Sequence, residues 1–484
     1  MMGQQEPSQP KLFYYSINIE QRISQDHPLR KVKALVDFDF VSKLVEPLYG
    51  YNGNVSVPPP VILKLMFLLF YEDVSSEREL MKTLPLRLDW LWFLDFDLES
   101  EIPDHSVLSK ARERWGRGPF EEYVENIIWQ CAKAGLVDGR KLFGDCSVVA
   151  ANVSSNSVVD RQSLKRYFNT KYLELEARLD DVKEKRYVST TDPEASVVRK
   201  GRGRALACYA EHRAVDSRAG VITATMTTPG AVNEAHVLAD LLDEHHKNTN
   251  MSAGVVVADS KYGTVENYLM LRDRDIRGHI PDLSAAQKGS NRREGIFDIS
   301  EFLYDEKSDT CTCPAGQRLE RRKNKKKPKA FDYIASGKTC ASCELHDRCT
   351  RNKNRVRTIK RHLRQKELDQ MRRIAQSPQA KRDLKTRKHF MERSYADAAN
   401  NHGFKRSRWR GLEKVTIQNL LIAAVQNIRI LIKYWRKPGG VAQENRITAK
   451  QVFVNISQGL SDTIALGRWS LLQLSLMSRF PLAT

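Results

Sequence analysis

Five segments that read as strands between residues 141 and 281 follow one another in an order that limits the fold more than any other feature of the chain. LFGDCSVVAANVS reads as a strand. ALACYAEHRAV and GVITATMTT flank Asp216-Ser217-Arg218-Ala219-Gly220, a hairpin turn with glycine where a positive φ is cheap. Glu234 to Lys247 has helical character, and GVVVADS is a short, fully apolar strand that ends in Asp259. A helix from Val265 to Arg274 leads into RGHIP, the last short strand. Strand, hairpin pair, helix, strand, helix, strand makes an α/β layer with a mixed sheet.

The flanking regions have different textures. Residues 1 to 27 are polar and read as a loose arm, and residues 28 to 137 form a helical block. Pro58, Pro59 and Pro60 start a buried helix. Ser76 and Glu79 have capping-box spacing, and Asp104 and Ser106 can cap SVLSKARERW. Pro119 starts another helix, which Gly135 can end. Residues 282 to 380 hold five of the eight cysteines and the runs RRKNKKKPK and RNKNRVRTIKRHLRQK, so they read as a basic, Cys-rich insert between core residues 138 to 281 and 381 to 437. Helical spacing returns in RKHFMERSYADAA and from Val415 to Tyr434. Residues 438 to 484 carry no readable role.

Charge narrows the class of partner. Lys and Arg number 79 against 59 Asp and Glu, a net charge of +20, which suggests a polyanion such as nucleic acid. A membrane partner is not expected. The apolar run Val61 to Tyr71 is interrupted by Lys64 and is short for a bilayer, and Leu420 to Ile432 carries Gln426, Asn427 and Arg429. The opening residues lack a basic and then apolar leader, which points to the cytoplasm, where cysteines are thiols or metal ligands rather than disulfides.

Three carboxylates stand out. Asp145 lies in the first strand, Asp259 ends the fourth, and Glu392 lies on the helix after the insert. With the first and fourth strands adjacent, the two aspartates emerge side by side, and a glutamate on a helix packed across that edge completes a cluster. Such a cluster repels itself unless hard divalent ions bind it, and a pair of Mg²⁺ ions suits in-line phosphoryl displacement. The bland reading is that a strand-end aspartate is a turn or cap residue; Asp216 is read that way.

Among the cysteines, Cys313, Cys340, Cys343 and Cys349 have spacing suited to tetrahedral Zn²⁺, with Cys311 and His346 as alternates for one of them. The alternative is unligated thiols in a basic insert. Cys131, Cys146 and Cys208 read as ordinary thiols. Candidate DNA contacts are Lys405, Arg406, Arg408 and Arg410 with Trp409 among them, and Lys110, Arg112 and Arg114 on the SVLSKARERW helix. Trp409 suits either base stacking or core packing.

The order GDCSVVAANVS, YAEHRAVDSRAGVITATMTTPGAVNEAHVLADLL, VVVADSKYGTVENYLMLRDRDIRGHIP and MERSYADAANNHGFKRSRWRGLEKVTIQNLLIAAVQNI resembles insertion-sequence transposases of the DDE type, and PDHSVLSKARERW resembles their N-terminal domain. The resemblance spans about residues 28 to 435. It implies an RNase H-like mixed sheet flanked by helices, with a helical N-terminal domain and a Cys-rich insert before the last catalytic helix. It further implies Asp145, Asp259 and Glu392 as ligands of Mg²⁺ or Mn²⁺. The implied reaction is cleavage at transposon terminal inverted repeats, followed by attack of the 3′-OH on target DNA. The implied partners are double-stranded DNA, both ends and target, and a second copy of the chain, in the nucleoid of a prokaryote. Many members carry Arg four before the glutamate and Lys seven after it; here those positions are Lys388 and Ala399. Lys388 keeps the charge without the bidentate fork. Glu413 competes for the third position but follows Gly411 and reads as lying outside a helix. The rival functions are a nuclease of this fold without strand transfer, and an inactive DNA-binding descendant.

Overall fold

The computed structural model describes residues 18–50, 56–160, 187–199, 205–283, 295–323, 329–351 and 356–434. The beginning of the arm and the tail beyond 437 lie outside them. The N-terminal block contains α1 (Ile19–Arg22), α2 (Pro28–Leu35), α3 (Phe40–Val45), α4 (Pro59–Tyr71), α5 (Glu77–Thr83), α6 (Leu88–Leu94), α7 (Ser106–Trp115) and α8 (Gly118–Lys133). Local signals set the starts: Ser76 Oγ accepts the N–H of Glu79 at 3.2 Å, and Asp104 Oδ1 accepts that of Ser106 at 2.8 Å. Order begins before Pro28, because Glu20 of α1 pairs with Arg30. Lys64 sits inside the buried run Ile62–Phe70 of α4, and its Nζ reaches Asp95 at 2.8 Å, so the stem is buried while the charge is paired.

The central sheet begins with β1 (Lys141–Ala150). After the small ladder of β2 (Val158–Asp160) and β3 (Tyr187–Ser189) come β4 (Ser196–Val198), β5 (Leu206–Asp216), β6 (Ile222–Pro229), β7 (Val255–Val257) and β8 (Arg277–His279). β5 pairs antiparallel with β1 on one edge and with β4 and β6 on the other, while β7 is parallel to β1 and β8 to β7. The order β6-β5-β1-β7-β8 is the RNase H-like arrangement that the resemblance implies. Asp216 is a turn residue, as read: its carboxylate accepts N–H groups of Arg218, Gly139 and Asp138, and Gly220 has φ +82°.

The two faces of β1 bury different cores, as the period of two requires. Leu142 joins Ala224 and Val256 beneath α9 (Leu238–Thr249) and α10 (Val265–Asp273). Phe143 and Val149 face the long helices α14 (Pro378–Asn401) and α15 (Leu412–Tyr434). α15 is apolar along most of its circumference and packs on β6, α8, α4 and α2, so one continuous core joins the N-terminal block to the sheet. By length and composition this helix would cross a bilayer, but here protein covers most of it.

The insert folds as an antiparallel sheet of β9 (Leu303–Asp305), β10 (Thr310–Thr312), β11 (Arg318–Lys323), β12 (Ala330–Ile334) and β13 (Thr358–His362), with the one-turn helices α11 (Gly337–Ala341) and α12 (His346–Cys349). It closes earlier than residue 380. α13 (Gln365–Ala375) sends Leu368 and Met371 into the core under α10 and therefore belongs with the central sheet.

A charge pair is buried at the centre of β5. Arg213 Nε lies 3.0 and 3.1 Å from the two Glu211 oxygens, and both side chains are 0% exposed. Arg213 Nη1 donates to Ser394 Oγ at 2.7 Å and Gln426 Oε1 at 3.1 Å, and Thr225 Oγ1 donates to Glu211 at 2.6 Å. The network thus bolts α14 and α15 to the sheet. Glu211→Leu alone will cost about 3–5 kcal/mol, because it strands a buried cation, whereas Glu211→Leu with Arg213→Met will cost less than the single change. Thermal or urea unfolding of the three proteins checks this; a single variant as stable as the parent would refute it.

Candidate active site

β1 and β7 run parallel with Phe143 opposite Val257. Continuing that register by two residues sets Asp145 level with Asp259. On the other side of β1, Arg213 is the antiparallel partner of Asp145, so both side chains share the face covered by α14. The sequence-predicted aspartates are therefore neighbours where the end of β7 meets the middle of β1. Asp259 is also a cap: its Oδ1 accepts the N–H of Lys261 at 2.9 Å. The bland and the functional readings of this residue hold together.

Asp145 is largely buried, and burial pushes its carboxyl above the usual range, with the nearby Asp259 carboxylate adding to the shift. Two contacts oppose it. Arg387 Nη1 of α14 lies 2.9 Å from Oδ2, and the N–H of Cys146 donates to Oδ1 at 2.9 Å. The same Arg387 nitrogen lies 3.1 Å from Gly144 O. The Tyr395 hydroxyl is 3.2 Å from Asp145 O and 3.1 Å from Glu211 O, and the Arg213 guanidinium lies 4.3 Å from its ring centre. Tyr395 and the Glu211–Arg213 pair thus fix the backbone that presents Asp145. Sequence reading passed over this support, although Glu211 and Arg213, two apart in an apolar strand, signalled it.

Glu392 does not join the aspartates. α14 turns Met391, Tyr395 and Ala398 inward, which leaves Glu392 one step round the helix and 68% exposed, with Lys388 Nζ at 3.8 Å. The cation beside Asp145 is Arg387, not Lys388. Among the described residues, no three His, Cys, Asp or Glu side chains are drawn up to hold a metal. The aspartate pair offers oxygen donors at one level, which suits a hard ion, while the third carboxylate stands off on the neighbouring helix. Glu413, expected outside a helix, lies in the first turn of α15, where it faces Gly116 at the end of α7.

The basic candidates divide into two groups. Lys405, Arg406 and Arg410 are exposed beside the end of β1. Their loop is hydrogen-bonded to Ala150 on both sides, through Ala150 N to Lys405 O and Ser407 N to Ala150 O. Lys405 Nζ lies 3.3 Å from Ser147 Oγ, two residues beyond Asp145, and Arg410 Nε donates to Asn152 O at 2.9 Å. Lys110 and Arg114 are also exposed, the latter over the Tyr49 ring. Arg408, Trp409 and Arg112, by contrast, are structural. Arg408 pairs with Asp73 at 2.8 Å and donates to the carbonyls of Leu69 and Val74. Trp409 packs edge-on against Phe70, with the buried Arg112 guanidinium 3.8 Å from its ring centre, and Arg112 pairs with Glu77. These three join the N-terminal block to the segment after α14 and are not free to meet DNA.

In the insert, Cys313, Cys340, Cys343, Cys349 and His346 border one small cavity. Burial raises the Cys349 thiol, and the other three of those thiols add to the shift. Cys311 points elsewhere, into the insert's core with Leu319 and Tyr333.

Residues 17–114 match a family described as a transposase domain (DUF772), and residues 312–432 match one described as a transposase DDE domain. The aspartate pair lies between the two matched spans. No curated protein matches significantly in sequence. A cryo-EM structure of a piggyBac transposase synaptic complex with hairpin DNA aligns over 84% of this chain and 74% of that one, at 10% identity and a TM-score of 0.37. That likeness is too slight to carry an argument. One transposase domain model thus matches the helical block, and a second, of the DDE type, matches the chain from the insert into α15.

Proposed function

We propose that the chain cuts DNA at the ends of a mobile element and joins the freed 3′-OH to target DNA, with Asp145 and Asp259 as the principal metal ligands and Glu392 as the third. The observation that carries this reading is the proximity of Asp259, just past the end of β7, to Asp145 on the adjacent parallel strand β1, with an exposed basic loop seated on β1. Two Mg²⁺ or Mn²⁺ ions would supply activation of the attacking oxygen and stabilisation of the leaving one. The remaining roles belong to the protein. Arg387 balances the Asp145 charge, Tyr395 holds the strand that carries it, and Lys405, Arg406 and Arg410 grip phosphates along the duplex. Lys388, exposed beside Glu392, is a further phosphate contact, and Lys110 and Arg114 contact the end sequence from the N-terminal block. Two copies bring two ends together, in the compartment that holds the DNA.

Asp145→Asn, Asp259→Asn and Glu392→Gln will each keep DNA binding while reducing cleavage at least ~100-fold, since amides keep size but lose the charge that holds the ions. Cleavage of labelled end DNA reads this out, and pre-cleaved ends offered a target plasmid separate strand transfer from simple nuclease action. Normal cleavage by Glu392→Gln would move the third ligand elsewhere.

Affinity for end DNA will fall by roughly 0.9 log units per tenfold salt for each phosphate contacted. Neutralising Lys405, Arg406 and Arg410 together will flatten that slope. Arg408→Ala will instead lower thermal stability and leave the slope unchanged, because its guanidinium is engaged with Asp73, Leu69 and Val74. A fluorescence titration across salt concentrations tests both, and a slope that falls equally for Arg408→Ala would contradict the division.

A further inference from the structure

The insert has a sheet but little core. Among its described residues, the buried apolar side chains are Phe302, Cys311, Leu319, Tyr333, Ala335 and Ile359. So small a core seldom holds a sheet of five short strands without a staple. Beside it lies the small cavity bordered by Cys313, Cys340, Cys343, Cys349 and His346. The thiols come from two separate supports. Cys313 opens a tight turn in which Gly316 N donates to its carbonyl at 2.8 Å and Gln317 N to its Sγ at 3.3 Å. Cys340 lies in α11, Cys343 follows it in the next turn, and Cys349 ends α12. A turn that directs an N–H at a cysteine sulphur, facing a C-x₂-C pair and a fourth cysteine, has the donor set of a closed tetrahedral site.

Two further features point to a cation there. His346 Nε2 is buried beside the cavity without a hydrogen-bond partner, which a cysteine sulphur drawn in towards an ion would supply. Arg357 reaches the Cys349 carbonyl at 2.9 Å and places positive charge beside a group that becomes strongly negative when four thiols ionise. The side chains border the cavity without standing in ligating geometry, and an ion with ~2.3 Å bonds to sulphur would draw them together.

We propose that Cys313, Cys340, Cys343 and Cys349 bind one structural Zn²⁺, which ties the turn after β10 to α11 and α12 and supplies the stability that the insert's core lacks. His346 borders the ion and is not a ligand. Cys311 is excluded by its place in the apolar core. This inference does not depend on the DNA reaction, because it concerns only the closure of the insert. The cores of the central sheet and N-terminal block are distinct from that of the insert, and those parts remain folded when the ion is removed.

The full-length protein, purified without added metal, should contain about one Zn²⁺ per chain by elemental analysis. A mercurial thiol reagent followed by a zinc indicator should release the same amount. Cys340→Ser and Cys343→Ser should lower the content about tenfold, while Cys311→Ala and His346→Ala should retain it. Should the serine variants misfold, Co²⁺ added to chelator-stripped parent protein gives the second reading, since four thiolates around Co²⁺ produce intense visible absorption and sulphur charge-transfer bands. Chelation should also open residues 310–350 to protease while the core stays resistant. A protein that carries no zinc, takes up no Co²⁺ and digests identically with and without chelator overturns the site. Iron in place of zinc overturns the metal, and loss of zinc in His346→Ala with retention in Cys313→Ser overturns the ligand set.

Discussion

A helix that is apolar on nearly every side has to be surrounded, and α15 is such a helix. The sheet covers one side through β6, and α8, α4 and α2 cover the others. This demand fixes the relation between the halves of the molecule: the N-terminal helices are the other half of the burial of α15, not a module on a tether. Arg408, Trp409 and Arg112 complete the same contact at the level of the loop before α15, with Trp409 held between Phe70 and the Arg112 guanidinium. Because α14 and α15 also close over the buried Glu211–Arg213 pair, the packing that joins the halves also holds the strand bearing Asp145.

The electrostatics around Asp145 follow from that packing. Burial raises the cost of its charge and a second carboxylate raises it further, so a cation has to be near. Arg387 supplies one from α14. The remaining carboxylate of the proposed set stays in solvent with Lys388, where its charge costs little. Two carboxylates that are close and one that is apart is what like charges favour when only one guanidinium neutralises them.

The sheet was legible because its signals are local. β-branched runs, a five-residue turn and two short amphipathic helices specify the order of elements, and an aspartate at the end of an apolar strand marks its own position. Neighbouring strands then bring Asp145 and Asp259 together without further information. The N-terminal helix starts were legible for the same reason, through Ser76, Asp104 and the prolines. What could not be read is long-range pairing. Arg112 and Trp409 lie far apart in the chain, and nothing in a basic run says which arginine will be claimed by Asp73 or Glu77. Arg408 looked like its neighbours Arg406 and Arg410, yet only Arg408 is bound into the junction. Glu413 was misplaced because a helix whose partners are distant shows no local start signal beyond Gly411. The extent of the insert was overestimated because Leu368 and Met371 are the apolar face of a helix embedded in basic sequence, and charge density hid the periodicity.

The dependence of α15 on helices made at the other end of the chain sets an order of events during synthesis. α8 is complete about 280 residues before α15 begins. At typical translation rates, the apolar surface that will receive it waits roughly 15–55 s for its occupant. During that interval the nascent chain presents Ile, Leu and Phe side chains of α4 and α8 with no partner of its own. This late helix is thus the keystone of the first domain, and a ribosome that stops short of residue 434 leaves behind a sticky fragment rather than a folded domain with a piece missing.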